Sequence, residues 1–509
     1  MKFKIFIQNT AILIITVFLF QCKTHETNFE EALNSINTTD LTNYVKVLAS
    51  DEFQGRRPFT EGETKTVKYL KDIFEKFGLK PGNNGSYFQE VPLVQVSTTP
   101  DAKLIFKSGN NQLGLDYKSE FVASTRRLVD EINIDNSELI FAGFGIVAPE
   151  YNWNDYKGLD LKGKTVVVLS NDPGLYSEDS SFFKGKTMTY YGRWTYKYEE
   201  AARQGAEAVI IIHDDLGAGY PWNVVLNGAL VPDLYLLADD NYASRCKMEG
   251  WLTQDAAKKL FEFAGLEFSI TKSAAGLGFK ALSMNTSISI NLKNKLEYKT
   301  STNVMAYLEG SEHPNEAIVY SAHWDHLGIG RSVDGDSIYN GAVDNGTSLA
   351  WMFEIAEAFT KLKERPKRSV LFFAPTAEES GLLGSAYYVA HPSFELSKIV
   401  ANINNDMMLP FGRMKDVMVT GYGQSELEDY AAEAAIKQGR YILPDPNSHT
   451  GMYFRSDHFS FAKAGVPSLF VRGNCDHFEK GRDWMAKKEL EWLRNNYHKP
   501  TDEYETNWD

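Results

Sequence analysis

Cysteine is nearly absent, with three in 509 residues, at Cys22, Cys246 and Cys475. Cysteines so few and so far apart exclude a disulfide-built scaffold and any C-x-x-C metal knot, and leave room for one disulfide at most. Basic charge is scarce too: 53 lysines and arginines stand against 67 aspartates and glutamates. The basic residues form no dense cluster, so no nucleic-acid partner is expected, because phosphate binding needs concentrated positive charge. No apolar run reaches the roughly 20 residues that span a bilayer as a helix. Low-complexity tracts and short-period repeats are also missing. With 43% hydrophobic residues, the composition is that of a folded globular chain. Its length exceeds what one hydrophobic core usually supports, which predicts two or more domains.

The first 22 residues read as an export signal. Lys2 and Lys4 precede an apolar run from Ala11 to Phe20, too short to span a membrane. Leu19-Phe20-Gln21-Cys22 resembles a bacterial lipoprotein lipobox, although Phe20 and Gln21 replace the small residues usual there. An ordinary signal peptide with an incidental cysteine is the alternative. The resemblance implies an exported protein, lipid-anchored through Cys22 and facing the periplasm or the outside, with a polar tether over residues 23–40 and no other membrane contact. Loss of residues 1–21 would leave 51 basic against 67 acidic residues, a net charge of about −16.

Between residues 41 and 81, Val67, Leu70, Ile73, Phe74 and Phe77 recur at helical spacing and end at Phe77-Gly78. The core face of that helix needs a partner, and the nearest substantial one is the block after residue 296. From about 125 to 290 the texture changes to short apolar runs, Glu138–Ile146 and Lys164–Ser170, then a helix Lys197–Gly205 and a further run Ala208–His213. This predicts a separate, smaller domain, mixed α/β or β-rich, with no concentrated set of ligands or nucleophiles. After Ser301 the apolar runs Ala317–Ala322, Ser369–Ala374, Ile399–Ile403 and Val466–Val471 alternate with helical patterns, the clearest over Thr347–Leu362. That alternation predicts an α/β fold, a mostly parallel sheet covered by helices, with ligand sites beyond the carboxyl ends of its strands.

Candidate metal ligands stand at those ends. His323-Trp-Asp325-His326 follows the first run, Asp344-Asn345 precedes the long helix, Glu378-Glu379 follows the second run, Asp406 ends the third, and His498 with Asp502 lies near the C-terminus. Any one of them alone is more often a surface or hydrogen-bonded group, but all of them at strand ends would be an improbable accident. Two imidazoles and three carboxylates suit borderline divalent ions, and an odd carboxylate can serve two of them. Ions about 3.5–4 Å apart clamp both oxygens of a hydrolytic displacement.

These segments, with Gly341-Ala-x-Asp344-Asn345-Gly346, Ala377-Glu378-Glu379-x-Gly381, Asn405-Asp406-Met407, Ser456-Asp457-His458 and Tyr497-His498-x-Pro-x-Asp502, resemble in order and spacing the motifs of the co-catalytic zinc aminopeptidase and glutamate carboxypeptidase family. Ser50-Asp-Glu-Phe-Gln-Gly-Arg56 resembles the start of the same domain. The resemblance implies a zinc exopeptidase-like catalytic domain over 41–124 and 296–509, interrupted by a protease-associated domain over 125–290. It implies two zinc ions, for which cobalt or manganese could substitute: Asp344 bridges, His323 and Asp406 complete one site, and Glu379 and His498 the other. Glu378 becomes the general base. Asp325 accepts the free N–H of His323, and Tyr453 donates to the oxyanion, although a packed aromatic explains Tyr453 equally well. His458 is read as structural, and His326, His391, His449 and His477 are unassigned. Peptides are the expected substrates, cut from the amino end, because acidic loops suit an α-ammonium group. Arg331, Arg413, Arg455 and Arg472 keep a carboxypeptidase alternative open. Other branches of the fold, single-zinc glutaminyl cyclases and receptors without metal, are rivals that a metal count separates.

Overall fold

The computed structural model describes residues 29–177, 179–473 and 475–509. The expected export signal and Cys22 lie outside them. Among the described residues, no helix is long and apolar enough to cross a membrane. The chain divides into two compact units: one takes in the residues up to Val91 with Ser301–Pro444 and Ser456–Asp509, the other Pro92–Thr300 with Asp445–Arg455.

In the first unit the apolar runs form the centre of a mixed sheet. Arg368–Ala374, His313–Ser321, Ile399–Asn404 and Ser468–Arg472 lie side by side in parallel. Antiparallel strands flank them, with Val304–Leu308 of the long strand Leu282–Leu308 on one side and Asp416–Thr420 on the other. Successive side chains of a strand face opposite ways, and Arg368–Ala374 uses both faces. Val370, Phe372 and Ala374 pack among helices Thr38–Leu48, Glu61–Lys76 and Ser348–Thr360 through Leu48, Leu70, Phe74, Leu349 and Phe353. Leu371 and Phe373 pack on the other face with Tyr388 and Phe461. Burying each such side chain stabilises by roughly 1.5–3 kcal/mol, which is why helices cover both faces. The helix expected around Leu70 is Glu61–Lys76, and it stops at Gly78, whose φ of +75° a side chain would resist.

In the second unit Glu131–Phe141, Lys164–Leu169, Ala208–Ile212 and Met248–Leu252 are parallel neighbours. Leu282–Lys293 and Phe121–Ser124 add antiparallel strands at either side, and Trp194–Arg203 and Gln254–Phe263 are its main helices. This unit begins at Pro92 and ends at Thr300, wider than the expected 125–290, and it also takes in Asp445–Arg455. The cause is strand pairing. Lys103–Ser108 and Asn111–Asp116 form a hairpin whose first strand pairs with Ser287–Ser289, and Phe121–Ser124 pairs with Glu249–Leu252. The strands from Lys103 to Ser124 therefore belong to this unit and not to the first one. Cys246 is buried with its thiol 3.4 Å from the Ala206 carbonyl and is in no disulfide.

Candidate metal centre

Parallel strands end on one edge, and the candidate ligands follow those ends. His323 comes two residues after His313–Ser321, Glu378 and Glu379 follow Arg368–Ala374, and Asp406 follows Ile399–Asn404. Asp344 sits in the irregular turn Ala342–Thr347 that leads into Ser348–Thr360, and His498 follows helix Gly481–Asn495. The fold brings all of them together. His323 Nε2 lies 3.4 Å from Asp344 Oδ1, 3.5 Å from Asp406 Oδ1 and 3.8 Å from Glu378 Oε2. His498 Nε2 lies 3.3 Å from Asp344 Oδ2 and 3.2 Å from Glu379 Oε2. The two oxygens of Asp344 therefore face two different ligand sets.

The spacing decides what these groups are for. Ligands about 2.0–2.1 Å from a tetrahedral ion stand about 3.3–3.4 Å from one another, whereas a charge-assisted hydrogen bond is about 2.7–2.9 Å. His323 Nε2 is buried with no hydrogen-bond partner among the described residues, although three carboxylates surround it. Imidazoles and carboxylates held at ligand-to-ligand distance, with a buried nitrogen left unbonded, fit a divalent metal.

The same criterion separates two histidines that sequence spacing could not. His326 also lies near Asp344 and Glu379, but its Nδ1 is 2.7 Å from Glu379 Oε1, a hydrogen bond and not a tetrahedral edge. His326 holds one oxygen of Glu379 while the other faces His498. Asp325 needs a correction. His323 Nδ1 is 3.0 Å from the backbone oxygen of Asp325, and the Asp325 carboxylate stands 3.9 Å away. The carboxylate accepts the backbone N–H groups of Glu378 at 3.0 Å and Glu379 at 3.3 Å instead. Two aligned amides outcompete an imidazole that is already satisfied by a carbonyl. Asp325 thus positions the glutamate loop as well as His323, with different atoms for each.

Two further supports went unassigned from sequence. Arg56 is fully buried and donates to the carbonyls of Trp324 (2.9 Å), Leu48 (2.7 Å), Asn340 (2.6 Å) and Gly341 (2.8 Å), fastening the His323 and Asp344 loops together. Asp502 accepts the backbone N–H groups of Val343 and Asp344, both at 3.0 Å. The signal was present, since Arg56 and Asp502 each close a recognised motif, but spacing gives a motif residue no role.

Residues 303–509 match the sequence profile of peptidase family M28. That match takes in about two-fifths of the chain. Leucine aminopeptidase 2 of Arthroderma otae is 30% identical over 215 residues, 40% of this chain and 39% of that protein. Leucine aminopeptidase 2 of Trichophyton equinum is 31% identical over 216 residues, again 40% of this chain and 39% of the relative. The chain thus spans about two-fifths of the length of these curated relatives. Among solved structures, the aminopeptidase from Aneurinibacillus sp. strain AM-1 covers 93% of this chain and 95% of its own at 18% identity, with a TM-score of 0.50, which shows a common fold.

The electrostatics of this centre follow from crowded carboxylates in a buried place. Burial alone would lower the pKa of His323, yet Glu378, with Asp344 and Asp406, outweighs it and raises the imidazole well above its usual range. Burial, then the charges of Asp406 and Glu379, push the Glu378 carboxyl well up. Against the pull of burial, His498 holds Glu379 down at about 2. So much negative charge away from water calls for cations. Tyr453 lies on Asp445–Arg455, a segment of the second unit, where its ring meets Phe454 edge-on at 5.3 Å. His458 is buried against Phe470, with ring centroids 4.9 Å apart.

Proposed function

We propose that this chain is a two-zinc exopeptidase that releases residues from the amino end of peptides. The observation that carries the reading is Asp344, with Oδ1 toward His323 and Asp406 and Oδ2 toward His498 and Glu379. His323, Asp344 and Asp406 would hold one ion, and His498, Asp344 and Glu379 the other. Cobalt and manganese accept the same donors. Bound zinc supplies Lewis acidity toward a peptide carbonyl and makes water more acidic.

The chain's own groups supply the remaining chemistry. Glu378 belongs to neither ligand set, and its raised pKa suits a carboxylate that takes a proton from attacking water at Oε2 and passes it to the leaving amine. Its backbone is fixed by Asp325, which keeps the side chain aimed as the proton moves. Tyr453 is the candidate oxyanion donor on the family resemblance alone, a role worth about 2.7–4 kcal/mol where such donors are measured. A surplus of carboxylates suits a substrate α-ammonium, which favours the amino end, as do the names of the curated relatives. A single-zinc cyclase would leave half of the ligand atoms without a task.

The test compares leucyl anilide carrying a free amine with its N-acetylated form. The free amine is expected to be cleaved and the acetylated substrate left intact. Comparable cleavage of the acetylated substrate, or release of C-terminal residues from N-blocked peptides, overturns the aminopeptidase reading in favour of a carboxypeptidase.

A further inference from the structure

Buried charge in the second unit is mostly matched. Arg126 Nε lies 3.0 Å from Glu249 Oε2. Lys197 Nζ donates to the Asn171 carbonyl at 2.7 Å, and the carboxylates of Asp172 and Asp155 bear on it. Arg193 is different. It is 8% exposed, and its Nε is buried with no hydrogen-bond partner among the described residues. Burial pushes its pKa down to about 10, and among the described residues the ionisable groups that bear on it are Tyr220, Arg455 and Tyr190, with no carboxylate.

Arg455 arrives on the segment Asp445–Arg455, which folds onto this same place. The neighbouring Phe454 meets the Tyr190 ring at 5.7 Å, and a Cβ on Gly451 would come within 3.4 Å of Arg193 Cδ. The Arg455 guanidinium lies 5.7 Å from the centre of the Tyr220 ring. Helix Trp194–Arg203 starts after Arg193 with no side chain capping that end, so its first amides add positive potential. A guanidinium keeps its proton at working pH, and burying it without a counter-charge is unfavourable. Two guanidiniums set among aromatic rings, with no lysine acting on Arg193, suit a planar, singly charged group that a guanidinium fork can grip through two oxygens.

We propose that Arg193 and Arg455, beside Tyr220, form a binding site for a carboxylate, the chain end or an acidic side chain of a peptide. The inference stands apart from the peptidase reading, since it needs neither metal nor turnover.

Calorimetric titration of the full-length, zinc-loaded protein with glutarate tests it, with glutaramide as the uncharged control and inorganic phosphate as the competing anion. Glutarate is expected to bind more tightly than phosphate, and glutaramide not to bind. Arg193→Gln and Arg455→Gln should each weaken glutarate binding about tenfold or more, as expected for the loss of a charge-assisted hydrogen bond, with zinc content unchanged. Equal affinity in the wild type and both variants, no glutarate binding, or tighter binding of phosphate overturns the proposal. Arg193→Met guards against a trivial folding failure. Without glutarate its melting temperature should be no lower than that of the wild type, because an unpaired buried charge has gone. A clear fall would mean that protein groups already satisfy Arg193, and would also overturn the proposal.

Discussion

In the second unit Lys197 is buried with the opposite charges of Asp172 and Asp155 acting on it, whereas in the first unit His323 Nε2 is buried facing three carboxylates and hydrogen-bonds to none of them. Both arrangements place charge away from water. The Lys197 arrangement is complete within the chain, because the ammonium donates to the Asn171 carbonyl and both carboxylates accept hydrogen bonds from Ile146, Gly174 and Thr189. The His323 arrangement concentrates like charges at distances too long for hydrogen bonds and right for ligands of one ion. Burial and charge alone therefore do not mark a functional site. What marks it is a surplus of one sign with unbonded atoms at its centre.

Substitutions in the two units should separate these behaviours. Glu378→Gln is expected to have the largest effect. It should lower kcat about 10²–10⁴-fold, the usual contribution of a positioned general base, while both ligand sets keep their metal. Near wild-type kcat with full metal content would remove Glu378 from catalysis. Lys197→Met should act the other way round, costing about 3–5 kcal/mol of stability, because it strands buried carboxylates, yet leaving metal content intact. A denaturation midpoint equal to that of the wild type would show that the lysine is not the counter-charge it resembles. His326→Asn should be the mildest. Loss of the 2.7 Å bond to Glu379 frees that carboxylate to turn, and zinc affinity should fall about 10–100-fold, as for other groups that orient a ligand. Unchanged zinc affinity would make His326 an ordinary buried histidine.

Much of the first unit was legible in the sequence because its signals are local. An apolar run followed by a carboxylate or histidine marks a parallel strand and its end, which places His323, Glu378, Glu379 and Asp406, while Asp344 is marked by its motif before the long helix. The supports were less visible. Arg56 acts on carbonyls of Asn340 and Gly341, almost three hundred residues away in the chain, and backbone carbonyls leave no trace in side-chain patterns. Asp325 was found as a residue but assigned through the wrong atom, because spacing cannot tell a carboxylate contact from a backbone one. His326 and His498 offer the same chemistry, and only a distance of 2.7 Å against 3.2 Å separates the one at hydrogen-bond distance from the one at ligand-to-ligand distance. The boundaries of the second unit were missed because they fall inside the continuous strands Phe88–Pro100 and Leu282–Leu308, where no linker composition announces a change.

The most direct test of the account is a zinc titration of metal-free protein, read by elemental analysis, in the wild type and in Asp344→Ala. A carboxylate with one oxygen for each ligand set predicts two ions per chain in the wild type and loss of both from the variant. One ion per wild-type chain, or two retained in Asp344→Ala, would contradict the central claim that Asp344 joins two metal sites.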